Sequence, residues 1–368
     1  MPKRDLISPD DLSPDELTAI LDLAAEMERD APGDLCAGKI LATLFYEPST
    51  RTRLSFESAM LRLGGRTLGF ADAQTSSVAK GETIADTARI VQAYADIIVM
   101  RHPIEGAAKV AADYASVPVI NAGDGGHMHP TQTILDLYTL KKLKGTLEGL
   151  VVGLCGDLKY GRTVHSLAPV LARLGAKLYC IAPPELAMPE ECLREARAAG
   201  AVLGETPDLD AVIGHLDALY ATRVQKERFP SSEEYERVKG TYVVTAALLS
   251  RAKPDMLVLH PLPRVDEIAY EVDDDPRAAY FRQAANGVPV RMALIAALLG
   301  LAHDVIAPEA RAPEPSAPGR ARPQAAREAC ANPRCVTNHE HHLTPQFAPV
   351  PDEPRLVHCM YCDHEVQA

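Results

Sequence analysis

Positive charge is in short supply in this 368-residue chain: 38 Lys and Arg stand against 50 Asp and Glu, a formal net charge of −12. An acidic surface does not attract a polyanion as a whole, so nucleic-acid binding would need a strong local basic patch. Long apolar runs are missing too. The longest, Met292 to Ala302, has 11 residues, too few to cross a bilayer. Met1-Pro2-Lys3-Arg4-Asp5 leads into no apolar stretch and does not read as a secretory signal. A glycine-rich phosphate loop of the Walker or dinucleotide type is absent, and Gly153-Leu154-Cys155-Gly156 is too weak to count as one. What is present is an ordinary globular balance, 47% apolar and 24% charged, with length enough for two or three domains. That excludes a wholly disordered chain, a collagen-like repeat and a small disulfide scaffold. A cytoplasmic enzyme is the expectation.

Cysteine placement divides the chain. Cys36, Cys155, Cys180 and Cys192 are scattered over the first 329 residues and read as isolated small apolar residues in a reducing compartment. The other four crowd into the last 39 residues as Cys330-x4-Cys335, then 23 residues, then Cys359-x2-Cys362. Two close pairs at this spacing signal structural zinc, because four thiolates complete a tetrahedral shell; a pair of disulfides is the alternative. His339, His341 and His342 are spare donors that four cysteines make unnecessary.

Ahead of that tail the chain alternates. Ser13-Pro14-Asp15-Glu16 combines a capping Ser, Pro at the first helical position and Glu three residues after the cap, which predicts a helix from about Pro14 towards Arg29. Apolar runs at 40–46, 66–70, 97–100 and 117–121 read as buried strands, with helices near 52–63, 83–94 and 106–114 between them. After a helix at 131–143 the rhythm restarts: strands near 150–154, 177–181, 218–221 and 256–259, helices near 162–174 and 189–199. Such alternation implies α/β architecture, two doubly wound parallel-sheet domains. The expected organisation is a first domain over 1–130, a second over 131–288, and an amphipathic helix from about Pro289 to Leu301, packing back on the first domain, in segment 289–302. Residues 303–329 hold 8 Ala and 5 Pro and read as a flexible linker, and 330–368 form a small zinc-binding domain.

The polar residues cluster at predicted strand ends. Ser49-Thr50-Arg51-Thr52-Arg53 follows a strand and opens a helix, where free N–H groups, hydroxyls and guanidinium groups make an anion site; plain N-capping with two solvated arginines is the alternative. Arg101-His102-Pro103 follows another strand, and His129-Pro130-Thr131-Gln132 precedes a helix after glycines 123, 125 and 126. In the second half, Arg162, Arg223 with Gln225, and His260-Pro261-Leu262-Pro263-Arg264 each follow a strand. Three arginine-bearing strand ends in one domain argue for an anionic substrate, because the guanidinium fork suits carboxylates.

Taken with Ser76 to Lys80 and Gly81-Glu82-Thr83, these motifs resemble aspartate carbamoyltransferase, in the family's order over residues 1 to about 302. The tail resembles the zinc domain of that enzyme's separate regulatory chain, so the whole reads as a fusion with the carbamoyltransferase fold. The resemblance implies transfer of the carbamoyl group of carbamoyl phosphate to L-aspartate, an early step of pyrimidine (UMP) synthesis. It assigns Ser49, Thr50, Arg51, Thr52, Ser76 and Arg101 to the phosphate, and Thr52, Arg101 and His129 to the carbonyl oxygen. Gln132 and the carbonyls of Pro261 and Leu262 orient the carbamoyl NH₂. Lys80, Arg162, Arg223 and Gln225 hold aspartate, Lys80 reaching from a neighbouring subunit of a homotrimer. Catalysis then falls to Arg51, Thr52, Arg101 and His129, with one structural Zn2+ per chain on Cys330, Cys335, Cys359 and Cys362 and no organic cofactor. No nucleic acid or membrane partner is expected.

Two rivals stand beside this reading. Ornithine carbamoyltransferase shares the carbamoyl-phosphate half, but its family has a cysteine in the motif equivalent to His260-Pro261-Leu262-Pro263. A non-catalytic regulatory subunit would have lost Arg51, Arg101, His129 or Arg162. The linker is too short and polar for the regulatory chain's nucleotide-binding domain, so little direct response to CTP or ATP is expected. The zinc domain is expected to dock in cis or on a neighbour and to support higher assembly, with its loss leaving the chemistry largely intact.

Overall fold

The structure, a computed structural model, describes residues 3–72, 80–224, 231–302, 305–306, 329–351 and 353–368. These divide into two compact units, one of residues 1–131 with 288–368 and one of 132–287.

In the first unit, α1 (Pro14–Arg29) begins as the capping signal predicts: Ser13 accepts from the Glu16 amide, and the Glu16 carboxylate accepts from the Ser13 amide. Four strands follow, β1 (Ile40–Phe45), β2 (Arg66–Phe70), β3 (Ile97–His102) and β4 (Val119–Asp124), with α2 (Thr50–Arg62), α3 (Ile84–Val91) and α4 (Ala107–Tyr114) between them. They form one parallel sheet in the order β2-β1-β3-β4. Every residue of β3 and β4 is buried, as expected where helices cover a parallel sheet.

The second unit holds all but the first two residues of α5 (Pro130–Lys144) and a five-stranded parallel sheet. Its strands are β5 (Val151–Cys155), β6 (Lys177–Ile181), β7 (Val202–Thr206), β8 (Ala218–Ala221) and β9 (Leu257–Leu259), ordered β7-β6-β5-β8-β9. The edge strand β7 escapes a reading by apolar runs because its residues are half-buried or exposed. Helices α6 (Arg162–Arg173) and α7 (Glu190–Ala198) pack against the sheet; of the short α8 (Leu209–Val212), α9 (Ser232–Val238) and α10 (Ala246–Leu249), the first and last share an apolar cluster with β8 and β9.

The last long helix, α11, runs Tyr280–Leu298, so it starts nine residues before the expected Pro289. Proline suits the first turn of a helix, which favours a start there; the chain instead carries Pro289 inside a continuous helix. The boundary between the units falls one bond earlier, between residues 287 and 288.

The tail folds as a three-stranded antiparallel sheet, β10 (Phe347–Val350), β11 (Glu353–Cys359) and β12 (Glu365–Gln367). It belongs to the first unit. Val336 is part of the core cluster formed with Ile84, Ala88, Ala107 and Ala111, and Leu343 and Tyr361 pack against it. Gly106, at φ +87°, lets the two backbones touch: a Cβ there would lie 2.7 Å from the Tyr361 carbonyl oxygen.

Candidate active site and metal centre

Both parallel sheets reverse their strand order once, and open α/β sheets place ligands outside the carboxyl ends of strands at such a point. In the first unit the reversal lies between β1 and β3. The chain leaving β1 carries Ser49 to Arg53, and β3 ends on Arg101-His102. In the second unit it lies between β5 and β8. The chain leaving β5 leads to Arg162, and the chain leaving β8 leads to Arg223.

At the start of α2 the capping alternative meets a clear test. Ser49 occupies the N-cap position but its hydroxyl makes no cap hydrogen bond, so hydroxyl and first-turn N–H groups remain to serve an anion. The two arginines differ. Arg53 Nε sits 2.7 Å from Glu57 Oε1, a partner four residues on. Arg51 is exposed and, among the described residues, makes no ion pair. Thr50 is exposed and Thr52 buried.

Arg101 is buried. Its Nη2 lies 2.7 Å from Glu47 Oε2 and its Nη1 donates to the Ala122 carbonyl at 3.2 Å. Glu47, two residues before Ser49, thus aims the guanidinium between β1 and β4. Gly123 near the end of β4 and Gly125 in the loop from β4 to α5 both have positive φ, and the loop delivers His129, also buried. Asp124 organises that loop, accepting from the side chain of Asn121 at 2.9 Å and from the amides of Gly106 at 2.9 Å and Met128 at 3.2 Å. Lys80 is exposed. Ser76 and Gln225 lie outside the described residues.

In the second unit one buried carboxylate ties several predicted positions together. Asp136 accepts from Gln132 Nε2 at 2.8 Å, Tyr220 Oη at 2.8 Å and Gln283 Nε2 at 2.6 Å. Gln283 Oε1 in turn accepts from the His260 amide at 2.8 Å. His260 Nδ1 accepts from the Leu262 amide at 2.8 Å, which leaves the ring proton on Nε2, 2.8 Å from Glu267 Oε1. Burial would raise the Glu267 carboxyl, but His260 and backbone amides hold it at about 2. Leu262 itself sits at φ +57°, so this network holds the Pro261 and Leu262 carbonyls in a conformation a free chain avoids.

Arg162 and Arg223 are half-buried at their strand ends. Arg264 is different. Its guanidinium donates to the Asp273 carboxylate and stacks on Tyr270 with a 4.6 Å centroid distance. Of the three strand-end arginines read as carboxylate holders, Arg264 is therefore committed to the fold. Glu47, Asp124, Asp136, Gln283 and Glu267 escaped the sequence reading. Asp136 alone left a signal, its helical i+4 spacing from Gln132.

In the tail, the sulfurs of Cys330, Cys335, Cys359 and Cys362 are buried and all lie within 4.8 Å of one another. The Cys330–Cys362 and Cys335–Cys359 pairs stand 3.7 Å apart. A disulfide needs about 2.05 Å, whereas sulfurs at bonds of about 2.3 Å on one tetrahedral metal stand roughly 3.8 Å apart. The geometry is that of a four-thiolate metal centre. Among the described residues no histidine joins the cluster; His339 Nε2 instead lies 3.0 Å from the Pro333 carbonyl.

Three family models match successive parts of the chain. Residues 4–142 match the carbamoyl-P binding domain of aspartate/ornithine carbamoyltransferase, and 148–298 its Asp/Orn binding domain. Residues 329–368 match the metal binding domain of the aspartate carbamoyltransferase regulatory chain. The aspartate carbamoyltransferase catalytic subunit of Thermococcus gammatolerans is 56% identical over 302 residues, covering 81% of this chain and 98% of that one. That of Methanopyrus kandleri is 56% identical over 301 residues, 81% and 97%. Among solved structures, the catalytic subunit of M. jannaschii aspartate transcarbamoylase superposes with a TM-score of 0.75 at 50% identity, covering 80% of this chain and 98% of that one. The Trypanosoma cruzi enzyme in complex with carbamoyl phosphate and aspartate gives 0.76 at 40% identity, 80% and 96%.

Proposed function

We propose that this chain, which belongs to the aspartate carbamoyltransferase family, transfers the carbamoyl group of carbamoyl phosphate to the amine of L-aspartate, giving N-carbamoyl-L-aspartate and phosphate for pyrimidine synthesis. The observation that carries the reading is the start of α2, where Ser49 keeps its hydroxyl out of the cap and Arg51 is not spent on a carboxylate.

The amine nitrogen bonds to the carbonyl carbon as the bond from that carbon to the phosphate oxygen breaks. Phosphate leaves with the electron pair and accepts the amine proton, so no protein base is required. Negative charge grows on the carbonyl oxygen, and fixed donors there lower the barrier without reorganising. Thr52, Arg101 and His129 fill that role, with Arg101 already oriented by Glu47. The carbamoyl NH₂ needs acceptors: Gln132 donates its own NH₂ to Asp136, which keeps its Oε1 as an acceptor, and the Pro261 and Leu262 carbonyls supply two more. Ser49, Thr50, Arg51 and Ser76 hold the phosphate. Arg162, Arg223 and Gln225 hold the aspartate carboxylates.

The four cysteines suit Zn2+, whose preference for four tetrahedral thiolates matches the observed sulfur spacing. It supplies folding energy to the small tail rather than chemistry. Lys80 acts from a neighbouring subunit of a homotrimer. Mixing Lys80→Ala with Arg51→Ala chains should then restore part of the activity each lacks; inactive trimers shown to contain both chains would refute sharing.

The reading is tested by assaying carbamoylation of aspartate and ornithine side by side on the purified protein. Aspartate is expected to be the faster acceptor. Faster transfer to ornithine would reverse the assignment, and no transfer to either would favour a regulatory role.

A further inference from the structure

The tail does more than decorate the first unit, because each of its two cysteine pairs places one side chain against the supports of the loop that ends on His129: Asn332 on Glu105 and Asp363 on His127. That loop is held by two carboxylates. Glu105 Oε1 accepts from the Gly126 amide at 3.1 Å, and Asp124 accepts from the Met128 amide while its own amide donates to the Met128 carbonyl, both at 3.2 Å. The loop also lies hard against Glu105: a Cβ on Gly125 would stand 2.7 Å from Glu105 Cγ.

Each carboxylate turns its second oxygen towards the tail. Glu105 Oε2 accepts from Asn332 Nδ2 at 2.6 Å, and Asn332 lies between Cys330 and Cys335. Asp124 Oδ2 is 3.0 Å from His127 Nδ1, and His127 Nε2 is 2.9 Å from Asp363 Oδ2, the residue after Cys362. Backbone contacts fix the register: the Glu105 amide donates to the Arg334 carbonyl at 3.0 Å, and the Val336 amide to the Glu105 carbonyl at 2.8 Å. Burial alone would discharge His127, but Asp124 and Asp363 on its two nitrogens hold it protonated, so it is a charged tie between two acids.

We propose that the four-cysteine module is the outer clamp of the His129 loop, with His127 and Glu105 as the positioning residues through which it acts. The proposal rests on the reading that His129 serves the carbamoyl oxygen. It revises the expectation that losing the tail's metal leaves the chemistry largely intact. A catalytic donor must be held to a few tenths of an ångström, and the two carboxylates that support this loop are themselves tied, Glu105 directly and Asp124 through His127, to Asn332 and Asp363, which the cysteine pairs place. Outer partners of this kind orient what lies inside them.

The test uses full-length chains that keep all four cysteines: His127→Ala, Asp363→Ala, the double variant and Asp363→Glu. Each is checked for one bound metal, and kcat, both KM values and hydrogen exchange of the amides in 124–129 are measured. His127→Ala and Asp363→Ala should retain metal, lose roughly ten-fold in kcat with smaller changes in KM, and exchange the loop amides about ten-fold faster. The double variant should be no worse than either single change, because both break one tie, and Asp363→Glu should recover most of the loss. Metal-loaded Asp363→Ala with unaltered kcat and exchange would overturn the proposal, as would additive losses in the double variant. His129→Asn separates this from the underlying reading. Full activity there removes the role of His129, while loop exchange still reports on the clamp.

Discussion

The two units solve the same local problem with the same dipeptide and then diverge. In the first, β3 ends in His102-Pro103-Ile104, and His102 Nδ1 accepts from the Ile104 amide at 3.0 Å. In the second, β9 leads to His260-Pro261-Leu262, and His260 Nδ1 accepts from the Leu262 amide at 2.8 Å. Proline has no N–H, so the next amide is the first that the ring can capture. Both histidines are buried, but of the two rings, among the described residues, His260 alone lies within hydrogen-bond reach of a carboxylate, Glu267 at 2.8 Å. Burial pushes His102 down to about 4 even though Asp124 pulls it upward. Identical sequence motifs therefore make a turn whose ring has no carboxylate hydrogen-bond partner in one unit and a turn whose ring proton meets a carboxylate in the other.

The largest effects should come from dividing labour between the units. On the proposed reading, Arg101→Ala removes a donor to the developing oxyanion together with the ion-pair partner of Glu47; kcat should fall about 10²–10³-fold. Arg223→Ala should instead raise KM for aspartate, with about 1.5–3 kcal/mol lost from a charge-assisted pair, while binding of carbamoyl phosphate measured by calorimetry stays unchanged. Equal losses of carbamoyl-phosphate affinity in both variants would break the division.

Acid should take the two turns apart in sequence. His102 has a folded value of about 4 against 6.5 for the free group. The unfolded chain binds the extra proton between those values, so stability is full above 6.5 and falls as pH drops towards 4. Glu267 has a folded value of about 2 against 4.5, so its contribution is full above 4.5 and is lost as pH drops towards 2. Each is worth on the order of 3 kcal/mol by the same linkage. Urea unfolding from pH 7 to 2.5 should show His102→Asn flattening the upper window and Glu267→Gln the lower. A single window removed by both variants would mean that the turns are not independent.

A smaller effect sharpens the lesson that like motifs acquire unlike partners. Ser13 caps α1 through its side chain, whereas Ser49 at the start of α2 does not. Ser13→Ala should cost about 1 kcal/mol of stability with normal kinetics. Ser49→Ala should cost little stability and raise KM for carbamoyl phosphate. Thermal melts paired with saturation curves decide it, and a stability loss at Ser49 equal to that at Ser13 would restore simple capping.

What the sequence by itself determined is whatever depends on neighbours along the chain. The α1 start needed only Ser13, Pro14 and Glu16. The buried strands β1, β3, β5 and β8 declared themselves as apolar runs, and two cysteine pairs declared a metal centre. Strand order was left to the tertiary structure, and with it the pairing of β1 with β3 and of β5 with β8 that makes Ser49–Arg101 and Arg162–Arg223 natural companions at the reversals. So were the commitment of Arg264 to Asp273, the Asp136 hub that joins Gln132 to Gln283, the latter 147 residues from Asp136, and the ties from Asn332 to Glu105 and from Asp363 to His127. A side chain's role depends on which group lies within hydrogen-bond reach. Between residues far apart in the chain, that distance is set by the packing of whole sheets and helices.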